Sequence, residues 1–440
     1  MSKLAALSAA FEDHDSTDGL ATGPMKLGDT LPDIRDDESL KGLMQKTQAA
    51  AFNAKNMIRE TRQAMEDIEG VHDLIEVAKD AEDLEEHEID TVNVALEHHA
   101  KCLGVSGAFR LTLENGRVSQ ASMEGIGDML AKLFDVIRRK IEDIIRAIKQ
   151  FFDSSRKTFD GMQKRVNKLA VVHSKMNGYQ ANAMLEPSKQ QWSALVKGED
   201  ISRDLKADLM EFADFAVRYK VEIGSKVLDG SRHIANILPD VPLDDDIAFE
   251  DYLAPKLDKL IRAEDFEKVT DRSKMYLGTV NMIPVDFRPR HSVPKWAEPM
   301  LVAAGHPGVH THFNERLHDR TVARMQGKLP SLTHEQVGHG IKGADLSMEA
   351  AVFVMDDFYK DAGEILRENR NAMNYVVNRA NQYGLRLSTR NVQLVNLLGL
   401  AGSYSLEHYL NSQIDFLNNL MFSTEAAIWW MEESMWRNRP

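Results

Sequence analysis

The chain has 440 residues, of which 43% are hydrophobic and 28% are charged, a composition that is typical of folded proteins and excludes wholesale disorder. Its single cysteine, Cys102, excludes an intramolecular disulfide, and no stretch approaches the roughly 18 uninterrupted apolar residues that a membrane-spanning helix needs. The formal net charge of −14 resides in the first 100 residues, which hold 23 acidic and 9 basic side chains.

Residues 1–38 are rich in Asp, Gly, Thr and Pro and have no apolar period, so the sequence predicts a flexible segment. They lack the apolar core and cleavage site of a signal peptide, and we therefore expect synthesis in a cytoplasm. From Leu40 to about Leu103 helix-forming residues dominate, with 13 carboxylates between Glu60 and Asp90. Two interpretations of this acidic region stay open: a solvated acidic helix face, or a solubilising or targeting segment that need not stay attached to the neutral remainder of the chain.

The strongest periodic pattern of the chain lies in residues 126–152, where apolar residues follow one another at steps of three and four. Ser122 is predicted to cap this amphipathic helix, and a second helix is predicted at about 155–177. The polar face of the first helix is basic through Arg138, Arg139, Lys140, Arg146 and Lys149. Three interpretations stay open: packing of the apolar face in a core, binding to a membrane surface, or contact of the basic face with DNA phosphates.

Further helices are predicted at about 188–196, 201–237 and 247–269, with prolines 239 and 242 closing the second of them. Residues 270–345 differ, because they contain 7 of the 15 histidines and a candidate strand at about 275–283. Helices are predicted to resume near residue 347 and to run to residue 436, with breaks around glycines 384 and 399.

The sequence therefore predicts an all-α fold, a multi-helix bundle with long amphipathic helices and a small irregular or β-containing insert near 270–345. We expect an acidic, partly flexible segment at 1–97 and a basic amphipathic helical segment at 98–190. A helical region with the His- and Pro-rich insert follows at 191–345, and a C-terminal helical segment at 346–440.

The histidine-rich insert is the first candidate for chemistry. His306, His310 and His312 lie close together in the sequence, and neutral imidazoles bind Zn²⁺ or Fe²⁺. His334 and His339 do not form a metallopeptidase motif, because a spacing of five residues separates them by about 140° around a helix. No phosphate loop, nucleophile elbow or paired cysteine is present. The sequence therefore predicts no enzyme and no cofactor, with a metal-dependent enzyme using the His306–His339 cluster as the alternative.

Two stretches, 95–105 and 121–170, resemble the internal head proteins of jumbo tailed bacteriophages. The family's starting motif corresponds to Ser122-Met123-Glu124-Gly125, the paired phenylalanines that end its first helix to Phe151-Phe152, and its basic pair to Lys164-Arg165. A tryptophan that is usual in the first helix of the family is replaced by Phe134. The resemblance covers about 80 residues.

The resemblance implies a virion structural protein that is made in the host cytoplasm, packaged in the capsid interior with the genome and trimmed by a prohead protease. Such proteases cut after a Glu in a small-x-Glu context, and the candidate cleavage sites are Glu97, Glu124 and Glu66. Residues 1–97 would then be a candidate propeptide. The implied partners are other virion proteins, the packaged DNA and the prohead protease, without stable membrane insertion. A membrane-active helical protein acting through residues 126–152 stays a further alternative.

Overall fold

The computed structural model confirms a mostly α-helical fold, with 80% of the described residues in helices. The structure describes residues 38–80, 85–102, 110–240, 242, 251–252, 255–256, 274–284, 309–382 and 389–438, apart from single-residue gaps at 177, 203, 279 and 314. The predicted flexible segment 1–38 lies almost entirely outside these residues, as does most of the helix predicted at 247–269.

The acidic region forms two helices, α1 (Glu38–Asp80) and α2 (Glu86–Cys102). Along α1 the buried residues recur at helical spacing and include Ala54, Ile58, Val71 and Ile75, all at most 3% exposed. This face packs along the long helix α3, described next. The part of the predicted N-terminal segment that the structure describes is therefore built into the hydrophobic core, and the boundary at 97/98 falls inside α2.

A single helix, α3 (Gln120–Lys175), replaces the two helices predicted at 126–152 and 155–177. Within this continuous helix, Ser155 and Thr158 donate their hydroxyls to the carbonyls of Phe151 and Ser154, four residues earlier. The N-cap is Ser119 and not Ser122, whose backbone N–H donates to the Ser119 side chain.

Ahead of α3 a hairpin joins β1 (Leu113–Glu114) to β2 (Arg117–Val118). Its turn is the dipeptide Asn115-Gly116, with φ of 55° and 72°, the pair of left-handed conformations that favours Asn-Gly in two-residue hairpins.

Between residues 189 and 237 the helices agree with the predicted ones, except that a π-helical turn interrupts the helix predicted at 201–237. It contains α4 (Lys189–Leu195), the strand pair β4 (Val196–Lys197) and β5 (Asp200–Ile201), α5 (Leu205–Tyr219) and α6 (Ser225–Ile237). A π-helical turn, Lys220–Gly224, joins α5 to α6 where one helix was predicted, and a 3₁₀ turn with Pro239 ends α6. The turn leaves room for Tyr409, because a Cβ on Gly224 would collide with the Tyr409 hydroxyl.

The predicted β-containing insert is confirmed. Strands β6 (Met275–Tyr276), β7 (Val280–Pro284) and β8 (Val309–Phe313) form an antiparallel sheet in that order. After α7 (Glu315–Arg324), strand β9 (Leu329–Pro330) pairs with β3 (Met184–Leu185).

Two long helices, α8 (His334–Gln382) and α9 (Thr389–Arg437), complete the described chain. Helix α8 begins at His334 and not near 347, so the predicted boundary at 345/346 lies inside it. Gly399 lies within α9 and causes no break, whereas Gly384 lies outside the described residues.

Between Tyr409 and Met435, α9 is buried on almost every side and forms the centre of the bundle. Its ring contacts include Tyr409 stacked on Tyr219 and Phe416 set edge-on against Phe215 and Tyr219. It also contains small polar side chains that find partners on neighbouring elements: the Thr424 hydroxyl lies 2.9 Å from that of Ser347, and the Ser434 hydroxyl accepts from the Leu332 N–H.

Two close contacts tie the outer helices to each other and to the centre. Helix α8 meets α5 at Gly343, where a Cβ would lie 2.6 Å from the Cα of Lys206. Helix α3 meets α9 at a bidentate ion pair between Arg165 and Glu432. The carboxylate of Glu425 lies 3.9 Å from the same guanidinium. The Arg165 and Glu432 side chains are 10% and 3% exposed, so this ion pair is largely removed from water.

Candidate nucleic-acid interface and histidine sites

The outer face of α3 carries a basic stripe along the helix. Between residues 139 and 168 it contains seven exposed basic side chains and three exposed acidic ones. The basic residues are Arg139, Arg146, Lys149, Arg156, Lys157, Lys164 and Lys168; the acidic ones are Glu142, Asp153 and Asp160. At 1.5 Å per residue the stripe is about 44 Å long. No exposed aromatic residue interrupts it in the described part of this face.

Three of the five predicted phosphate-contacting residues, Arg139, Arg146 and Lys149, are exposed on this stripe. Lys140 is half-buried, and the side chain of Arg138 lies outside the described residues. Arg146 forms an ion pair with Asp143, one turn earlier on the same helix. The prediction that these residues contact DNA stays a prediction.

The second half of the basic stripe, from Arg156 to Lys168, was not among the predicted phosphate contacts. The signal was present, because Arg156 follows Lys149, and Lys164 follows Lys157, by seven residues, which is two helical turns along one face. The helix end predicted near residue 152 excluded these residues.

The opposite, apolar face of α3 is buried in the core. Ile148, Phe151, Phe159 and Val166 are all at most 2% exposed, and the face packs against α1 and α8. In this fold the described part of the apolar face is therefore not presented to a membrane surface. Among the described residues, no helix is both long enough and apolar enough to cross a membrane.

The histidines of the insert contact different partners. His318 is 4% exposed, and its Nε2 lies 3.5 Å from the Ser193 hydroxyl while its Nδ1 lies 3.0 Å from the Asp319 carboxylate. His334 stacks on His173 of α3, whereas His339 is exposed. The backbone places His310 and His312 on one face of β8, but their side chains, like all of His306, lie outside the described residues. No group of three candidate metal ligands occurs in the part of the chain that the structure describes.

Ser193, His318 and Asp319 are the residue types of a hydrolase triad, but their hydrogen bonds run in the wrong direction. The Ser193 hydroxyl donates to the carbonyl of Lys189, 2.9 Å away in its own helix. It can then only accept from His318, so the imidazole is not placed to remove the serine proton. We interpret the contact of the buried His318 with Ser193 as a packing contact between α4 and α7.

The three candidate cleavage residues all lie in helices. Glu97 is exposed in the last third of α2, while Glu66 and Glu124 lie in α1 and in the first turns of α3. A protease binds its substrate in an extended conformation, so each site has to unwind locally before it can be cut.

These observations describe a helical protein with a packed hydrophobic core and a basic stripe on the outer face of α3. Residues 35–219 match the model of the family described as phiKZ-like phage internal head proteins. The resemblance to internal head proteins of jumbo phages is thereby confirmed, and the match extends it from α1 to the end of α5. The family supports a structural role in the virion, in the interior of the capsid. No curated protein and no solved structure matches the chain.

Proposed function

We propose that this chain is a virion-internal structural protein that is packaged together with the phage genome and contacts DNA through the basic stripe of α3. The observation that carries the proposal is the coincidence of the family match with that stripe, since residues 139–168 lie within the matched segment 35–219. The stripe supplies cations along about 44 Å of a single helix, and the core behind that helix holds them in place.

The chemistry of the stripe favours contact with the DNA backbone rather than with bases. Duplex DNA carries one negative charge per about 1.7 Å of its axis, so a straight basic helix meets several phosphates along its length. Lysine and arginine contacts to phosphates fix position without reading sequence. Exposed aromatic residues, which stack on bases, are lacking on the described part of the face. Binding should therefore be independent of sequence and weaken steeply with salt.

Neutralising three lysines of the stripe should reduce this salt dependence. We expect the triple variant Lys149→Gln, Lys157→Gln, Lys164→Gln to bind duplex DNA more weakly, because each lost phosphate contact removes about 0.9 from the slope of log K against log salt concentration. Fluorescence anisotropy with a labelled duplex at 50 to 200 mM salt measures both quantities.

The matched control replaces three exposed lysines on other elements, Lys101, Lys189 and Lys328, by Gln. It changes the net charge equally and should leave the slope near that of the unchanged protein. Equal effects of the two triple variants would show that only overall charge matters. Absence of any duplex binding at low salt would exclude the DNA part of the proposal.

Trimming by a prohead protease belongs to the same proposal. Among the candidates Glu97 is favoured, because it is exposed and follows the acidic region. Cutting there would separate α1 from the body, although α1 buries its apolar face against α3. We therefore expect cleavage while the chain is still incompletely folded or locally opened.

Protein extracted from mature particles should begin at His98 if Glu97 is the cleavage site. N-terminal sequencing of the particle-derived protein, beside the protein from cells before assembly, decides this. A start at Met1 or Ser2 would contradict processing, and absence of the protein from the particles would contradict the virion role.

A further inference from the structure

The end of α3 and the start of α8 are joined by two stacked histidine rings. The rings of His173 and His334 lie 3.9 Å apart and within 13° of parallel, and Tyr179 stands edge-on to His334 at 5.8 Å. We name these three residues the ring junction. The His173 Nε2–H donates to the backbone carbonyl of His334 at 2.9 Å, since a carbonyl oxygen can only accept.

The ring junction lies beside hydrogen bonds that join the β3–β9 pair, the start of α8 and α9. We call these hydrogen bonds, made by Ala183, Pro330, Ser331 and Trp430, the clasp. The Ser331 N–H donates to the Ala183 carbonyl, next to the β3–β9 pair, and the Trp430 indole N–H of α9 donates to the Pro330 carbonyl. The start of α8 is itself well formed, because Thr333 and Gln336 exchange reciprocal cap hydrogen bonds. The ring stack lies beside these hydrogen bonds and joins the end of α3 to the start of α8.

Among the described residues, no group accepts a hydrogen bond from a second proton on His334. Its Nδ1 is buried without a hydrogen bond, and so is the Tyr179 hydroxyl. Protonation would bury a charged N–H without an acceptor, on a ring whose stacked neighbour is another titratable imidazole. His334 is also the first residue of α8, where the positive end of the helix dipole disfavours a cation.

The surrounding charged groups do not offset this cost. From α3 the titratable neighbour is His173, and from the segment after it Tyr179. On α8 itself, Glu335 and His339 are exposed. Asn438, the residue after α9, accepts from the Ala183 N–H, and the charged pair Glu433 and Arg437 is joined within the last turn of α9. Burial, and then the charge of His173, lower the pKa of His334.

We infer that the ring junction is an acid-operated latch: protonation of His334 breaks the ring stack between the end of α3 and the start of α8 and opens the clasp beside it. The direction follows from linkage. Above the ordinary histidine pKa of 6.5 both closed and open states are neutral, and pH has no effect. Below it the open state takes up the proton more readily, so the opening equilibrium rises by up to about tenfold per pH unit until the closed state also binds it.

Amide hydrogen exchange at Ser331, corrected for the intrinsic pH dependence of exchange, measures opening of the clasp. In the full-length protein we expect protection to fall as the pH is lowered from 8 to 5. The variant His334→Phe keeps a flat ring that stacks but cannot bind a proton, so its protection should stay independent of pH. The control variant His339→Phe removes an exposed histidine five residues away and should behave like the unchanged protein.

An unchanged pH response in His334→Phe would overturn the latch, as would a clasp in the natural protein whose protection does not vary with pH. Imidazole NMR titration of the natural protein covers the case in which the variant fails to fold. His334 should there titrate below the ordinary histidine pKa of 6.5, and titration at or above that value would overturn the latch equally.

Discussion

Gly343→Ala should strongly destabilise the protein, lowering its free energy of unfolding by about 3 kcal/mol. The added Cβ would lie 2.6 Å from the Cα of Lys206 and 3.3 Å from the Leu205 carbonyl oxygen. Both neighbours are backbone atoms of α5, which cannot rotate aside as a side chain can. Helices α5 and α8 would have to move apart, which would loosen the packing between them. Urea unfolding followed by circular dichroism measures the change.

The matched control is Gly42→Ala on α1. Outside its own helical backbone, no atom of the described residues lies within 4 Å of the position where its Cβ would stand, so the substitution meets no obstacle among them. Alanine favours the helical backbone over glycine, and this variant should gain up to about 1 kcal/mol. If the two substitutions changed stability in the same direction, close packing of α5 on α8 would not be the reason for Gly343.

Arg165→Met should produce the second large effect, a loss of about 3–5 kcal/mol at neutral pH. Methionine keeps most of the volume of the arginine but leaves the Glu432 carboxylate, 3% exposed, without its counter-charge and beside Glu425. Burial already raises the pKa of Glu432 above its ordinary value even with Arg165 present. The deficit should therefore shrink as the pH is lowered, because a protonated Glu432 needs no cation. Urea unfolding at several pH values measures both effects.

Two further variants separate charge from packing. The double variant Arg165→Met, Glu432→Leu removes both charges from the same buried place and should recover most of the lost stability. Arg146→Met removes an arginine from an exposed ion pair with Asp143 and should cost about 1 kcal/mol or less. Equal losses for Arg165→Met and Arg146→Met would refute the importance of burial.

Local signals in the sequence were sufficient to predict most of the helices. The helix predicted from the apolar period of 126–152 and the β-containing insert predicted at 270–345 each depend on neighbours a few residues apart, and each was confirmed. The breaks predicted within α3 and α9 do not occur. Ser155 bonds to the Phe151 carbonyl within α3, and Gly399 lies inside α9.

The position of α9 at the centre could not be predicted, because its sequence is partly polar. Thr424, Ser434 and Glu432 would suggest a surface helix, but each has a partner on another element: Ser347, Leu332 and Arg165. Such pairings join residues that are about 80 to 270 positions apart, and no short window contains both members. The same limit applies to the acidic region, whose charge suggested a separate leader although α1 has a buried face at helical spacing.

The first half of the basic stripe was predicted from the sequence, because it lies on one face of a single predicted helix. Exposure of Arg139, Arg146 and Lys149 follows from helical periodicity alone, and the structure places all three on the outer face. The ring junction, in contrast, brings together His173 and His334, which are 161 residues apart. Neither histidine lies in a recognisable motif, so only the three-dimensional structure indicates their stacking.

The central position of α9 has a consequence for how the protein is made. In chain order α9 comes after every other described element, yet α1, α3, α5 and α8 all rest on it. A ribosome adding about 5–20 residues per second needs on the order of tens of seconds to progress from the end of α3 to the end of α9. During that interval the emerging helices expose the apolar faces that await α9. The nascent chain should therefore depend on host chaperones, and premature termination within α9 should yield aggregates rather than a smaller folded protein.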